Sequence, residues 1–249
     1  LIKRNADHYF EKAAKYDLLA NYYKYTNPNL HVQYYSKHLS NLQKAVQNLG
    51  NGNEMRPAAA RVRVIHASPD SPSVDVYING MRTLRDVSYK HVSDYLSLPT
   101  GRYQIDMYPA GTMVSTVISR KVNIESGRYY TLAAIGPGAN LRLMPIEDHL
   151  FVPSSETKLR IAHFSPDAPS VDIAVKNGDV IFPNATFRKM TDYVGLTPMT
   201  VDLEVRLTGT STVVLPLPNI RMNPNTAYTI LILGLAEGNP ELEALIINP

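Results

Sequence analysis

Two histidines in this chain, His66 and His163, each stand four residues before one aspartate (Asp70, Asp167) and nine before another (Asp75, Asp172). Imidazole near carboxylate is a pairing used for proton transfer and for holding metal ions, so the spacing raises both chemistries. Neighbouring residues recur with them. Ser68 and Pro69 lie in "RVRVIHASPDSPSVDVYING" at 61–80, and Ser165 and Pro166 in "LRIAHFSPDAPSVDIAVKNG" at 159–178. Phase decides the role of the histidines. His66 is in step with Val62 and Val64, and His163 with Leu159 and Ile161, so both rings are predicted to enter a core where a strand meets a Pro-rich loop. There an imidazole can satisfy loop backbone groups, which is a structural task. Asp70 and Asp167 follow proline, where a carboxylate commonly closes an Asx-type turn onto its own backbone. Two acidic groups per loop are fewer than tight calcium loops use. No G-x-S-x-G, H-E-x-x-H, P-loop or dinucleotide fingerprint occurs. "GPGAN" at 136–140 precedes no helical pattern and is predicted to be a hairpin turn. The expectation is a non-enzymatic protein with neither cofactor nor bound metal.

The elements that position these residues come in two copies. The offset between the stretches is 97 at the histidines and becomes 98 after one extra residue near Lys176. It then places Asp94-Tyr95 on Asp192-Tyr193, Tyr130-Thr131 on Tyr228-Thr229 and Gly136 on Gly234. A register held for so long marks a duplicated domain. The copies are predicted to span 60–148 and 158–249, joined by the linker "HLFVPSSET". Within each copy the hydrophobic period is two, as in Val74, Val76 and Ile78. Further strands are predicted at 91–98, 103–108, 112–124, 129–135 and 141–144, punctuated by "NG", "PTG", "ESG" and "GPG". The fold class is therefore mainly β: two tandem antiparallel β-sandwiches.

Residues 1–55 follow a different period. Ala6, Tyr9, Ala13, Tyr16, Ala20 and Tyr23 form one heptad-like seam, and Val32, Tyr35, Leu39, Leu42, Val46 and Leu49 another, with "NPN" at 27–29 between them. This predicts an antiparallel helical hairpin, with "NGNEMRPAA" leading into the first sandwich. Phe10, Leu18, Leu19, Tyr22, Tyr25 and Tyr34 fall off both seams. Two helices cannot bury two faces by themselves, so this second apolar face, with Phe10, Leu18, Leu19 and Tyr22 as its stripe, must meet either a sandwich or another subunit.

Composition narrows the class. Hydrophobic residues are 44% and charged residues 19%, a balance that excludes intrinsic disorder. With no cysteine there are no disulfides or thiolate sites, which suits an exported protein as well as a cytosolic one. No apolar run is long enough for a transmembrane helix. The chain begins at Leu1, so it neither displays nor excludes a leader peptide. The net +3 arises in residues 1–60, but without any basic run, which argues against nucleic acid as a partner.

The His-x-Ser-Pro-Asp-x-Pro-x-Val-Asp core at 66–75 and 163–172, with "LSLPTGRYQIDMY" and "SGRYYTLAAIG", resembles a bacterial family known as domain-of-unknown-function family 4397. The second copy departs from the pattern where "LTPMTVDLEV" lacks the Pro-Thr-Gly turn and "MNPNTAY" replaces "IESGRYY". The resemblance implies extracytoplasmic or cell-surface proteins, often tandem, with immunoglobulin- or prealbumin-like sandwiches and no established activity. The combined expectation is a structural, self-assembling protein of the bacterial envelope or spore surface, forming a homo-oligomer or filament. The alternative is an extracellular adhesion module that takes an envelope glycan or protein on its sandwich-end loops, with Tyr77 and Tyr108 as the aromatic platforms.

Overall fold

A computed structural model describes residues 2–24, 26–50 and 58–248, apart from the side chains of 2–5, 49–50 and 139. Tyr25, the Leu49 side chain, the lead-in 51–57 and Pro249 therefore lie outside the described residues. Helices α1 (Ile2–Tyr23) and α2 (Pro28–Gly50) form the hairpin. Asn27 Oδ1 accepts the Leu30 N–H at 3.2 Å, capping α2, and Pro28 occupies its first turn, where the missing N–H costs nothing.

The first repeat holds β1 (Ala60–His66), β2 (Val74–Ile78), β3 (Met81–Val87), β4 (Leu96–Leu98), β5 (Gly101–Pro109), β6 (Ile118–Ile124), β7 (Tyr129–Ile135) and β8 (Arg142–Asp148). They make two sheets, β4-β1-β7-β8 and β3-β2-β5-β6. The second repeat holds β9 (Thr157–His163), β10 (Val171–Val175), β11 (Val180–Ala185), β12 (Lys189–Met190), β13 (Val194–Leu196), β14 (Met199–Leu207), β15 (Val213–Met222), β16 (Thr226–Leu233) and β17 (Glu243–Ile247). Its sheets are β12-β9-β16-β17, with β13 also on β9, and β11-β10-β14-β15.

Several details differ from the sequence expectation, among them the predicted strand 91–98, of which only Leu96–Leu98 is strand. The pairs β1–β7 and β9–β16 are parallel, because the chain crosses to the other sheet and returns; alternation alone carries no strand direction. Strand β3 was not expected, since "MRTLRDV" is polar and mostly exposed. The predicted strand 112–124 begins only at Ile118, and the segment before it is a loop.

The repeats are also not two beads on a string. Each has its own core: Val62, Val76, Met107 and Leu132 in the first, Leu159, Ile173, Val205 and Ile230 in the second. A third core lies between them, where Ile65, Ala133, Ile135 and Ile146 meet Phe164, Leu231, Leu233 and Ile247. Sheet β4-β1-β7-β8 packs on sheet β12-β9-β16-β17, so β1 and β9 are covered on both faces. Each large apolar side chain buried there contributes about 1.5–3 kcal/mol, enough to make the junction a lasting contact.

Candidate functional site

The repeated motif loops serve the fold. His66 and His163 are both fully buried. His66 Nε2–H donates to Pro72 O at 3.0 Å, and Nδ1 accepts the Ser68 N–H at 3.4 Å. His163 Nε2–H makes the matching bond to Pro169 O at 3.1 Å. Burial lowers the affinity of both rings for a proton, partly offset by those carbonyls. Ser68 Oγ donates to Gly136 O at 2.6 Å, and Ser165 Oγ to Asp167 at 3.2 Å. Pro69 and Pro166 shape the loops between them.

The aspartates staple distant loops, and Asp167 also closes its own turn by accepting from Ser165 Oγ. Asp70 accepts the Gly138 N–H at 2.9 Å; Asp167 accepts the Ala236 and Glu237 N–H groups at 2.8 and 3.0 Å. Asp75 takes the N–H groups of Asp86 and Gly111, and Asp172 those of Asn184 and Gly209. Asp86 and Asn184 have φ of 49° and 52°, in the left-handed region, so each carboxylate anchors an irregular strand. These long-range bonds were not expected, because sequence gives no view of which loop lies opposite.

The hairpin corrects the second seam. Ala6, Ala13 and Ala20 are buried as expected. Their partners on α2 are His31, His38 and Ala45: His31 Nδ1–H donates to Ala20 O, and His38 Nδ1–H to Ala13 O, each at 2.9 Å. The small alanines let the helices approach and the polar histidines reach across. Tyr34 also joins the seam, stacking with Tyr16 and Tyr23. Val32 and Tyr35 face the second repeat instead, and Val46 is exposed. Tyr35 packs against Gly195, where an added Cβ would sit 2.5 Å from the ring, and its hydroxyl donates to Glu156 at 3.0 Å. The hairpin therefore docks in cis through α2. Leu18 and Tyr22 on α1 remain 73% exposed and Phe10 38%, while Leu19 is half-buried. Tyr77 is buried and packs edge-on to Tyr108, so it offers no open platform.

The seam between the repeats holds groups that sequence reading missed. Arg63 Nε donates to Thr131 at 2.9 Å and Nη1 to Asn248 O at 3.0 Å. Arg160 Nε donates to Thr229 at 2.9 Å and Nη1 to Glu147 O at 2.9 Å. Tyr95 and Tyr193 lie under the two guanidinium groups, at 4.8 and 4.6 Å from their ring centroids. Each arginine thus holds a threonine of its own repeat and the last strand of the other, related by approximate two-fold symmetry. One carboxylate, Asp148, serves both: it accepts Arg160 Nη2 at 2.7 Å and lies 3.8 Å from Arg63 Nη2. A buried ion cluster of this kind adds little net stability over an apolar replacement, so the third core holds the repeats together and the arginines set their register. The recurrence of Arg, Tyr and Thr at the repeat offset was the available signal.

Lys158 lies beside the cluster, buried, with Nζ donating to Phe151 O at 2.6 Å and 4.4 Å above the Tyr193 ring. Burial, then Arg160, pushes its ammonium down to about 7. Lys158 and Tyr193 line a cleft of about 480 Å³ together with Ser40, Gln43 and Lys44 of α2.

No curated protein matches the chain at a significant level. Among solved structures, the C-terminal domain of AlgF from P. aeruginosa is similar over 38% of this chain and 99% of its own, at 11% identity and a TM-score of 0.30. The Bacillus anthracis TIE protein is similar over 72% of this chain and 34% of its own, at 11% identity and a TM-score of 0.24. A Bacteroides fragilis protein provisionally assigned to cell adhesion covers 76% and 97%, at 10% identity and a TM-score of 0.20. Likeness at this level assigns no role to this chain. The family model is decisive: matching residues 60–174 and 157–248, it shows that the chain belongs to the DUF4397 family, a domain of unknown function.

Proposed function

We propose that this protein is a non-enzymatic structural component of the bacterial cell envelope or spore surface, self-associating through its hairpin. The observation that carries the reading is the outer face of α1. With α2 already docked on the second repeat, Leu18, Tyr22 and Phe10 still face water, and leaving such surface wet is unfavourable by about 25 cal/mol per Å². A junction with its own apolar core suits a rigid spacer. The test is analytical ultracentrifugation of the full chain over a concentration series, beside a Leu18→Ser/Tyr22→Ser variant. The intact chain should assemble and the variant stay monomeric with an unchanged melting curve. An intact chain that remains monomeric at high concentration removes this reading.

A second reading, adhesion through a sandwich end, is favoured by the β5–β6 loop, where Met113 is 62% and Val114 94% exposed. Loss of adhesion to cells or matrix on Met113→Ser/Val114→Ser, with assembly unaffected, would select it.

A further inference from the structure

Lys158 stands on β9 in step with Arg160 and Ala162, the side of the strand turned to the junction. The repeat fold does not require a buried amine there, since the first repeat has Arg61 at that position, exposed. Burying an ammonium group is costly unless a counter-ion joins it. Among the described residues no carboxylate lies within ion-pair distance of Lys158. Its neighbours are the Phe151 carbonyl, the Tyr193 ring and the Arg160 guanidinium, itself 4.6 Å from the centroid of that ring. Burial and the Arg160 cation favour the free amine, so the ammonium gives up its proton at about 7. A free amine has two N–H groups and a lone pair. The bond to Phe151 O uses one N–H, and the lone pair stays available as a nucleophile.

The cleft of about 480 Å³ that Lys158 lines is of a size that takes a small molecule. Ser36, Ser40 and Gln43, spaced four and three apart on one side of α2, bring two hydroxyls and an amide to it. His149 lines it as well, edge-on to the Tyr193 ring at 6.5 Å and with Nδ1 3.7 Å from Glu147. Partial burial lowers the proton affinity of His149, Glu147 raises it and Lys158 lowers it again, leaving a neutral imidazole that can pass a proton. Ser40, His149 and Phe151 are exposed whereas Lys158 is buried, so the cleft opens to water on their side and closes on the amine.

We propose that Lys158 is a covalent attachment site for a small hydroxylated aldehyde, such as the open-chain form of a reducing sugar, which it holds in this cleft as an imine. Nζ attacks the carbonyl carbon and the C=O electron pair moves to oxygen. His149 relays both amine protons to that oxygen, which leaves as water as the C=N bond closes. One amine and one aldehyde give one imine and one water, with no oxidant or reductant. The ligand's hydroxyl groups face Ser36, Ser40 and Gln43, each able to donate and to accept. Attachment is stoichiometric and needs no turnover.

Reductive trapping tests this on the full chain. Glyceraldehyde and sodium cyanoborohydride are added across pH 6 to 10, and adducts are located by peptide mass spectrometry. At pH 7.5 Lys158 should label about ten-fold faster than the exposed Lys121 and Lys189, because a desolvated amine beside a cation is the one present in free form. Its rate should level off above pH 7 to 8 while theirs keep rising, and urea should abolish the difference. Propanal, which lacks hydroxyls, should label Lys158 several-fold more slowly than glyceraldehyde, and Ser40→Ala/Gln43→Ala should erase that preference. His149→Ala should slow labelling of Lys158 and leave Lys121 unchanged. Two results overturn the proposal: Lys158 labelling no faster than Lys121 in the folded chain, or a Lys158 rate that climbs with pH as those of the exposed lysines do.

Discussion

The two repeats share a fold and an arginine–threonine–tyrosine trio, yet they have been put to different uses. At the position where the second repeat has Gly195, the first has Ser97 in the repeat register. Only the glycine admits the Tyr35 ring, so the hairpin sits on the second repeat. Where the second repeat buries Lys158, the first has Arg61, exposed at the edge of its strand. The carboxylate between the two arginines, Asp148, comes from the first repeat, whereas the second gives the junction Glu243, which accepts from Tyr89 Oη at 3.1 Å and Lys90 Nζ at 2.8 Å. The lesson is that duplication copies the scaffold, and single residues at the contact faces then divide the work.

Removing that carboxylate should have the largest effect. Asp148→Asn leaves two buried guanidinium groups without a counter-ion and should cost about 3–5 kcal/mol in urea unfolding. A loss below about 1 kcal/mol would mean that the arginines find acceptors as easily without it, and that the seam is no charge cluster at all. A smaller effect should follow from making the second repeat resemble the first. Gly195→Ser pushes a Cβ to within 2.5 Å of Tyr35, an overpacking expected to cost about 1–3 kcal/mol and to expose the hairpin to limited proteolysis. The reciprocal Ser97→Gly should leave proteolysis of the hairpin unchanged, because no helix packs there; a hairpin still protected in Gly195→Ser would show that its docking rests on other contacts.

The third prediction concerns pH. Lys158 titrates near 7 in the folded protein, well below the ordinary lysine value of 10.5. Between those values the unfolded chain holds a proton that the native state lacks, so this group's contribution to stability rises as pH climbs from about 7 towards 10. Below 7 the native state carries the buried cation and its full cost. Lys158→Met should therefore stabilise the protein most at pH 6 and progressively less by pH 9, with a difference on the order of 1–2 kcal/mol. A gain independent of pH would place the cost of Lys158 in packing rather than charge.

Much of this was legible in the chain. The constant offset disclosed the duplication, period two disclosed the sandwiches, and the phase of His66 and His163 with their aliphatic neighbours disclosed their burial. These features are local: they depend on alternation and spacing along one segment, which the backbone obeys wherever the segment is placed. The α1 seam of Ala6, Ala13 and Ala20 was legible for the same reason, but its partners His31 and His38 were not, because a polar residue on a seam declares itself only when the carbonyl it meets is in view. Arg63 and Arg160 alternate with the core-phased Val62, Val64, Leu159 and Ile161, so spacing puts them on the other face of their strands. Their burial depends on what covers that face, and nothing in a strand's alternation says whether water or a second sheet lies beyond it. The sequence by itself determined two copies of one sandwich and a helical hairpin. The tertiary structure decided that the copies share a core, that Gly195 seats the hairpin on the second, and that Asp148 stands between two arginines drawn from segments 97 residues apart. Those outcomes rest on contacts between distant faces, whose free energy exists only once both faces are formed.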